Sequence, residues 1–285
     1  LGAKMEIPEP VFSTGGGATN AAATFARQGF KTASLFKIGK DFAGEEILRE
    51  MKKEKISALA VKDNKLKTDY SAILVASGGE RTILNYRGAS ANLKENEIPF
   101  GSLNAKWAYV SPGNIPFAAI KKIFSHYSKT GASIAFNPSR QYLDMGIKKL
   151  EPLFNMAEVV LLNREEASEL TGILYDKEKE IFARLDKAVK GIAVMTEGQK
   201  GLVVSDGKSI FRFGIFKNKK VVDRTGAGDS FGSGFVAGLM RKGNIEYAVR
   251  LGLANAASVV EHFGAKKGII TKSEFENSPR WKKIK

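Results

Sequence analysis

The sequence predicts an α/β fold of three layers, a parallel-centred sheet with helices on both faces and a small β-sheet lid beside it. Three observations predict it. Apolar, β-branched runs alternate with amphipathic helical patterns through most of the chain. Several of those runs end in Asn, Gly or Thr, which sets polar side chains at the carboxyl edge of a sheet, where open α/β folds bind ligands. Two further β-rich runs stand outside the alternation and have no helix between them.

The elements follow in order. Residues 4–12 are Pro-interrupted and extended. A Gly-rich turn then leads into a helix of small residues, 21–26, and residues 32–38 and 41–54 read as strand then helix. The runs 70–76 and 81–87, separated by Ser77-Gly78-Gly79-Glu80, pair as an antiparallel flap. With residues 1–14 they make the predicted lid, about 1–14 and 66–88. Alternation resumes with strand 107–111, helix 115–129, strand 133–136, strand 159–162, helix 164–171 and strand 192–195. Strands 201–205 and 209–213 are joined by Asp206-Gly207, a hairpin turn. Two long helical patterns, 227–242 and 245–263, close the domain, and residues 273–285 read as a basic tail with a frayed end at 280–285.

Composition bounds what this fold can do. The chain has 285 residues, enough for one large domain, with 43% hydrophobic and 26% charged residues, which excludes disorder and fibrous classes. There is no cysteine, so disulfides and thiol chemistry are excluded, and any metal must use oxygen ligands or His126 and His262, so a zinc site is not expected. No apolar stretch approaches the roughly 18 residues of a membrane span, and no signal-peptide pattern opens the chain, so the expectation is a cytoplasmic protein with no membrane partner. Forty-five Lys and Arg against 30 Asp and Glu leave a net charge of +15. The basic residues are dispersed and no nucleic-acid-binding spacing accompanies them, so a solvated face that attracts a small anionic substrate is the expectation rather than a nucleic-acid partner.

The strongest local signal is Asp223-Arg224-Thr225-Gly226-Ala227-Gly228-Asp229 at the start of a helix. Small residues at 226–228 let backbone N–H groups converge where the helix dipole favours an anion, and Asp229 in the first turn can take a proton from an attacking hydroxyl. The same pattern is also that of a Gly-rich turn whose Asp complements the dipole. In Gly15-Gly16-Gly17-Ala18-Thr19-Asn20, the glycines allow close approach of a polyhydroxylated ligand and Asn20 can hydrogen-bond vicinal hydroxyls. Its spacing is not that of a dinucleotide loop. Asn163-Arg164-Glu165-Glu166 follows a strand and reads as a capping box, a reading compatible with Asn163 and Glu166 organising a hydrated Mg²⁺. Thr196-Glu197-Gly198-Gln199-Lys200-Gly201 allows a tight connection with a hydroxyl for a phosphate oxygen, and Asn255 is a polar residue in a small-residue helix that either lines an adenine site or faces a neighbouring helix. Ser111-Pro112-Gly113-Asn114 and Asn137-Pro138 lie at strand ends.

In order and spacing these motifs resemble the ribokinase-like (PfkB) carbohydrate kinases over about residues 1–270. The resemblance implies an ATP-dependent, Mg²⁺-requiring kinase of a sugar or sugar-like hydroxyl. It implies Asp229 as catalytic base, Gly226, Ala227 and Gly228 as the anion hole, and Gly16, Gly17 and Asn20 as acceptor contacts. It further implies Asn163 as a nucleotide and magnesium contact, Glu166 as a magnesium-water contact, Thr196, Gly198 and Gly201 with Gly228 on the nucleotide phosphates, Asn255 on the adenine side, and Asp223 at a monovalent-cation (K⁺) site found in some members. The lid would cover the acceptor, with Arg87 facing it, and mediate a homodimer. Alternatives are a nucleoside kinase of the same fold and a non-catalytic sugar- or nucleotide-binding protein. Two departures stand out. The family usually opens with a strand ending in a sugar-binding Asp, and this chain starts after it, so an amino-terminal truncation is expected. Arg224 stands where a small residue is commoner.

Overall fold

The computed structural model describes residues 6, 10–75, 81–217, 220–282 and 284. Regular structure begins with α1 (Gly17–Arg27), β1 (Ala33–Gly39), α2 (Phe42–Lys53) and β2 (Ser57–Asp63). Asp41 caps α2, its carboxylate accepting from Gly44 N at 2.9 Å. The strands β3 (Tyr70–Val75) and β4 (Arg81–Tyr86) pair antiparallel, Tyr70 opposite Tyr86. Then come β5 (Trp107–Val110), α3 (Phe117–Thr130), β6 (Ser133–Phe136), α4 (Arg140–Leu143), α5 (Ile147–Phe154), β7 (Val159–Asn163), α6 (Arg164–Thr171), α7 (Glu178–Ala188) and β8 (Ile192–Thr196). The hairpin β9 (Leu202–Ser205) and β10 (Ile210–Phe213) follows, and α8 (Ala227–Lys242), α9 (Ile245–Val259) and α10 (Lys272–Asn277) complete the chain.

Six strands form the main sheet in the order β10-β9-β8-β7-β6-β5, parallel from β5 to β8 and antiparallel across the hairpin. Period-two alternation sorts its side chains to two faces. Ile134, Phe136, Val160 and Leu162 pack with α3 to α7, while Ala135, Val159 and Leu161 pack with α8 and α9. These are the three layers the alternating pattern implies.

A main sheet and a lid sheet were expected, and the described strands form both, with β1 and β2 as a further pair. β1 and β2 pair parallel with each other and with no strand of the main sheet, because no described strand hydrogen-bonds across from β1 to β5. Helix α1 packs against both β1 and β5 and so spans the two pieces. The last long helix also ends earlier than its apolar pattern, at Val259 rather than 263, because the Val260 carbonyl accepts from Val222 and Asp223 N–H groups.

The flap β3–β4 shows apolar side chains to solvent, among them Leu74, Leu84 and Tyr86. Its base is pinned by Asp69, which accepts from the N–H groups of Gly88 and Ser90 and from Ser90 Oγ. Of the other lid segment, residues 1–5 and 7–9 lie outside the described residues, as does the 77–80 turn, and residues 10–14 form no strand. The expected frayed tail is docked instead. Trp281 is buried against Phe216 with ring centroids 5.2 Å apart, and Arg280 pairs with Glu261, so apolar burial outweighs the basic composition. Residues 283 and 285 lie outside the described residues.

Candidate functional site

Helix α8 starts from Gly226, whose φ of 78° and ψ of 4° are left-handed. Only glycine fits, since a Cβ there would lie 2.5 Å from the Ala265 Cβ. Ala227 N reaches back to Arg224 O at 3.3 Å and Ser230 N closes onto Gly226 O at 2.8 Å. Between them, the Gly228 and Asp229 N–H groups sit in the first turn, where no carbonyl inside the helix can accept them. The space over the Gly228 Cα is open. This is a concavity fit for an anion, at the positive end of a 16-residue helix.

Asp229 Oδ2 accepts from Asn20 Nδ2 at 2.9 Å. Burial pushes the Asp229 carboxyl up from its ordinary range, and the bond from Asn20 opposes that rise. A Cβ on Gly17 would stand 2.1 Å from Ser111 Oγ and 3.5 Å from Asp229 Oδ1. Gly17 at the start of α1, Ser111 after β5 and Asp229 in α8 therefore meet at one point, between the two pieces of sheet. Gly16 caps α1 next to them. Asn20 is almost fully buried; its Nδ2 is taken by Asp229, while its Oδ1 has no hydrogen-bond partner among the described residues. Tyr109 lies beneath, its hydroxyl accepting from Asn137 Nδ2 at 3.2 Å, and burial first and the Asp229 charge second raise its pKa far above the ordinary tyrosine value.

Asn163 ends β7 and Thr196 ends β8, paired side by side in register. The capping box is present: Glu166 N donates to Asn163 Oδ1 and Asn163 N to Glu166 Oε2, each at 2.8 Å. The Glu166 carboxyl is raised by burial, against the Asn163 N–H, and further by Glu169 and Glu165. A cation nearby would relieve that crowding. Gly198 opens the turn after Thr196, and Gly201 closes it where a Cβ would meet the Phe213 carbonyl at 2.1 Å, so the hairpin itself demands this glycine. Glu197 in the turn collects Arg164, Lys200 and Tyr175; burial raises its pKa, but the three donors win and hold it at about 2.

Three more of the expected residues are placed as follows. Asn255 is fully buried, and its amide is consumed by Thr24 Oγ1 at 3.0 Å, Ser230 O at 2.8 Å and Ile270 N at 3.1 Å. It ties α9 to α1 and α8 and presents nothing to an adenine. Asp223 accepts from Thr225 N at 2.9 Å and Gly264 N at 3.1 Å, so its carboxylate holds the turn before the concavity. Arg87 is exposed and makes no hydrogen bond or ion pair among the described residues, away from Asp229's contacts. Sequence reasoning did not single out Lys266 or Thr24; a lysine among many carries no signal of burial.

With this geometry in hand, the family comparison is decisive: residues 2–272 match the model of the pfkB family carbohydrate kinases. The chain belongs to that family. It is a phosphotransferase with an alcohol acceptor, of the carbohydrate or nucleoside kinase kind, in a family that uses ATP. Among relatives, the cytidine kinase of Thermococcus kodakarensis is 31% identical over 255 residues, 88% of each chain. The ribokinase of Haemophilus influenzae is 28% identical over 268 residues, covering 91% of this chain and 85% of its own. The structure of ribokinase from Giardia lamblia superposes with a TM-score of 0.83 at 20% identity, over 97% of this chain and 91% of the other, which shows the shared fold. As a pfkB kinase the protein carries no group of three or more His, Asp or Glu side chains able to hold a metal among the described residues, and no helix long and apolar enough to cross a membrane. A donor set of one crowded carboxylate, Glu166, fits magnesium held chiefly by nucleotide phosphates and water.

Proposed function

We propose that this pfkB kinase transfers the γ-phosphoryl group of ATP to a hydroxyl of a sugar or nucleoside, with Asp229 as base. The convergence of Asp229, Gly17 and Ser111 beside the open first turn of α8 carries the reading. An acceptor hydroxyl over Gly17 stands beside Asp229, loses its proton to the carboxylate and attacks phosphorus. The bond to the bridging oxygen of ADP breaks as the new P–O bond forms, and the Gly228 and Asp229 N–H groups receive the phosphoryl oxygens. Burial that raises the Asp229 pKa makes the carboxylate a stronger base than a surface Asp. Glu166 and Asn163 would hold magnesium, which would supply charge neutralisation on the phosphates. Thr196 and the Gly198–Gly201 turn would border those phosphates. A monovalent cation such as K⁺ would share the Asp223 turn. A kinase that draws on ATP would work in the cytoplasm.

A nucleoside acceptor is the second reading, favoured by the likeness to a cytidine kinase. The exposed flap, with Leu84 59% exposed, would cover the acceptor and pair with a second copy, and Arg87 at its base would face an acidic acceptor. ADP release measured with ribose, fructose, cytidine and adenosine decides the class. Turnover of one acceptor, abolished by Asp229→Asn, is expected; nucleotide and sugar binding without acceptor-dependent ADP release would leave a binding protein instead.

A further inference from the structure

Lys266 is 4% exposed, an ammonium buried as deeply as Lys37 and Asp223. Its Nζ donates to Glu50 Oε2 at 2.9 Å, to Thr14 Oγ1 at 2.5 Å and, more weakly, to Thr19 Oγ1 at 3.5 Å. Burying this charge is unfavourable, and burial lowers the lysine pKa while Glu50 opposes the fall. An apolar side chain of similar length would fill the space without that cost. The ion pair with Glu50 alone therefore does not account for the residue.

The two neighbours of Lys266 supply the reason. Thr19, which Lys266 holds, donates its own hydroxyl to Gly15 O at 2.7 Å and so shapes the Gly15–Gly16 turn at the start of α1. One residue back, Ala265 packs under Gly226, the cap of α8. Two back, Gly264 N donates to Asp223, whose other oxygen takes Thr225 N. Ser13 also lies against Gly264. Arg27 fastens the strap from outside, donating to the carbonyls of Lys266 and Ile269 at 2.9 Å each while pairing with Glu54. Three consecutive residues thus touch both the loop 13–19 and the turn 223–226. Asn20 donates directly to Asp229 and so also joins the two segments.

We propose that Lys266 is a positioning residue of the transfer site, and that the strap 264–266 sets the register between the acceptor loop and the phosphoryl concavity. The functional part of this inference rests on the kinase reading above; the structural part does not. Asn163, Glu166 and Thr196 make no hydrogen bond to the strap among the described residues, so the capping-box and hairpin side of the site is not tied to it.

The test uses the full chain with Lys266→Met and Lys266→Arg, read first by hydrogen exchange without any substrate. In Lys266→Met, amides 17–24 and 226–232 exchange about tenfold faster or more, while amides 163–170 stay at the parent rate. With ribose and cytidine as acceptor probes, KM for whichever is turned over rises and kcat falls, about tenfold or more combined, and KM for ATP stays within about twofold. Lys266→Arg restores most of both. Parent-like exchange at 17–24, or acceleration spread evenly over the protein, overturns the proposal, as do parent-like acceptor kinetics. If neither probe is phosphorylated, the kinase reading of the acceptor fails while the exchange pattern still decides on the strap. Should Lys266→Met not fold, Thr14→Val removes one arm of the clamp at a half-exposed position, and the same exchange pattern in weaker form is required of it.

Discussion

Asn20 and Asp229 stand 209 positions apart in the chain and meet at 2.9 Å, whereas Asn163 and Glu166 stand three apart and close on one another within a single helical turn. The acceptor half of the cleft is assembled by buried, long-range polar contacts: Asn20 to Asp229, Asn255 to Thr24 and Ile270, Lys266 to Thr14. The donor half is assembled from a capping box, a hairpin turn and ion pairs that solvent reaches. Removing a partner in the first half leaves a buried group unsatisfied, which costs the desolvation of that group; removing one in the second exposes a group that water can serve. The acceptor half should therefore be fragile to substitution and the donor half forgiving.

Asp229→Asn should show the largest effect, a fall in kcat of about 10² to 10⁴-fold with ATP binding retained. The same variant should melt higher at pH 7. The folded Asp229 pKa lies above its unfolded value of about 3.9, so the ionised form is penalised in the folded state above that pH and the penalty vanishes below it. The gain in melting temperature should disappear as pH falls below about 4. A variant that melts no higher at pH 7 would mean that the carboxylate is not enclosed as described.

Gly226→Ala comes next. It combines a left-handed φ with a Cβ 2.5 Å from that of Ala265, and urea unfolding should show a loss of about 1–3 kcal/mol together with weaker ATP turnover. Equal stability would mean that the strap yields freely.

On the donor side, Glu166→Gln should mostly raise the magnesium concentration for half-maximal rate, about tenfold, and leave acceptor KM alone. A larger loss in acceptor KM than in magnesium dependence would erase the contrast between the halves. The smallest effect is expected of Glu197→Gln, at most about 1 kcal/mol at pH 7. Because the folded Glu197 pKa is depressed to about 2, its contribution is present above the unfolded value of about 4.3 and is lost as pH falls toward 2, so parent and variant should converge there in acid unfolding.

The contrast also governs what could be read from the sequence. The capping box at Asn163, the hairpin at Asp206-Gly207 and the Gly-rich entry to α8 are local, so spacing alone revealed them. For Asn255 the sequence leaves an adenine site and a neighbouring helix both open, because a polar residue in a small-residue helix has no pattern to say which way it faces. Lys266 was invisible for the complementary reason: lysine is nearly always exposed, and nothing near it in the chain announces Glu50, Thr14 and Thr19 as partners. The tail misled by composition, since Trp281 outweighs the charges around it.

By itself, then, the sequence determined the layered α/β class, the family and the residues of each short motif, because those depend on periodicity, turn stereochemistry and caps that act over a few residues. Tertiary structure alone decided that Gly17, Ser111 and Asp229 share one point, that Asn20 reaches Asp229 while the Asn255 amide is taken up by protein groups, and that one buried lysine joins two loops. Those facts depend on which distant segments pack together and on how each buried polar atom finds its partner, and neither is encoded in any local stretch of chain.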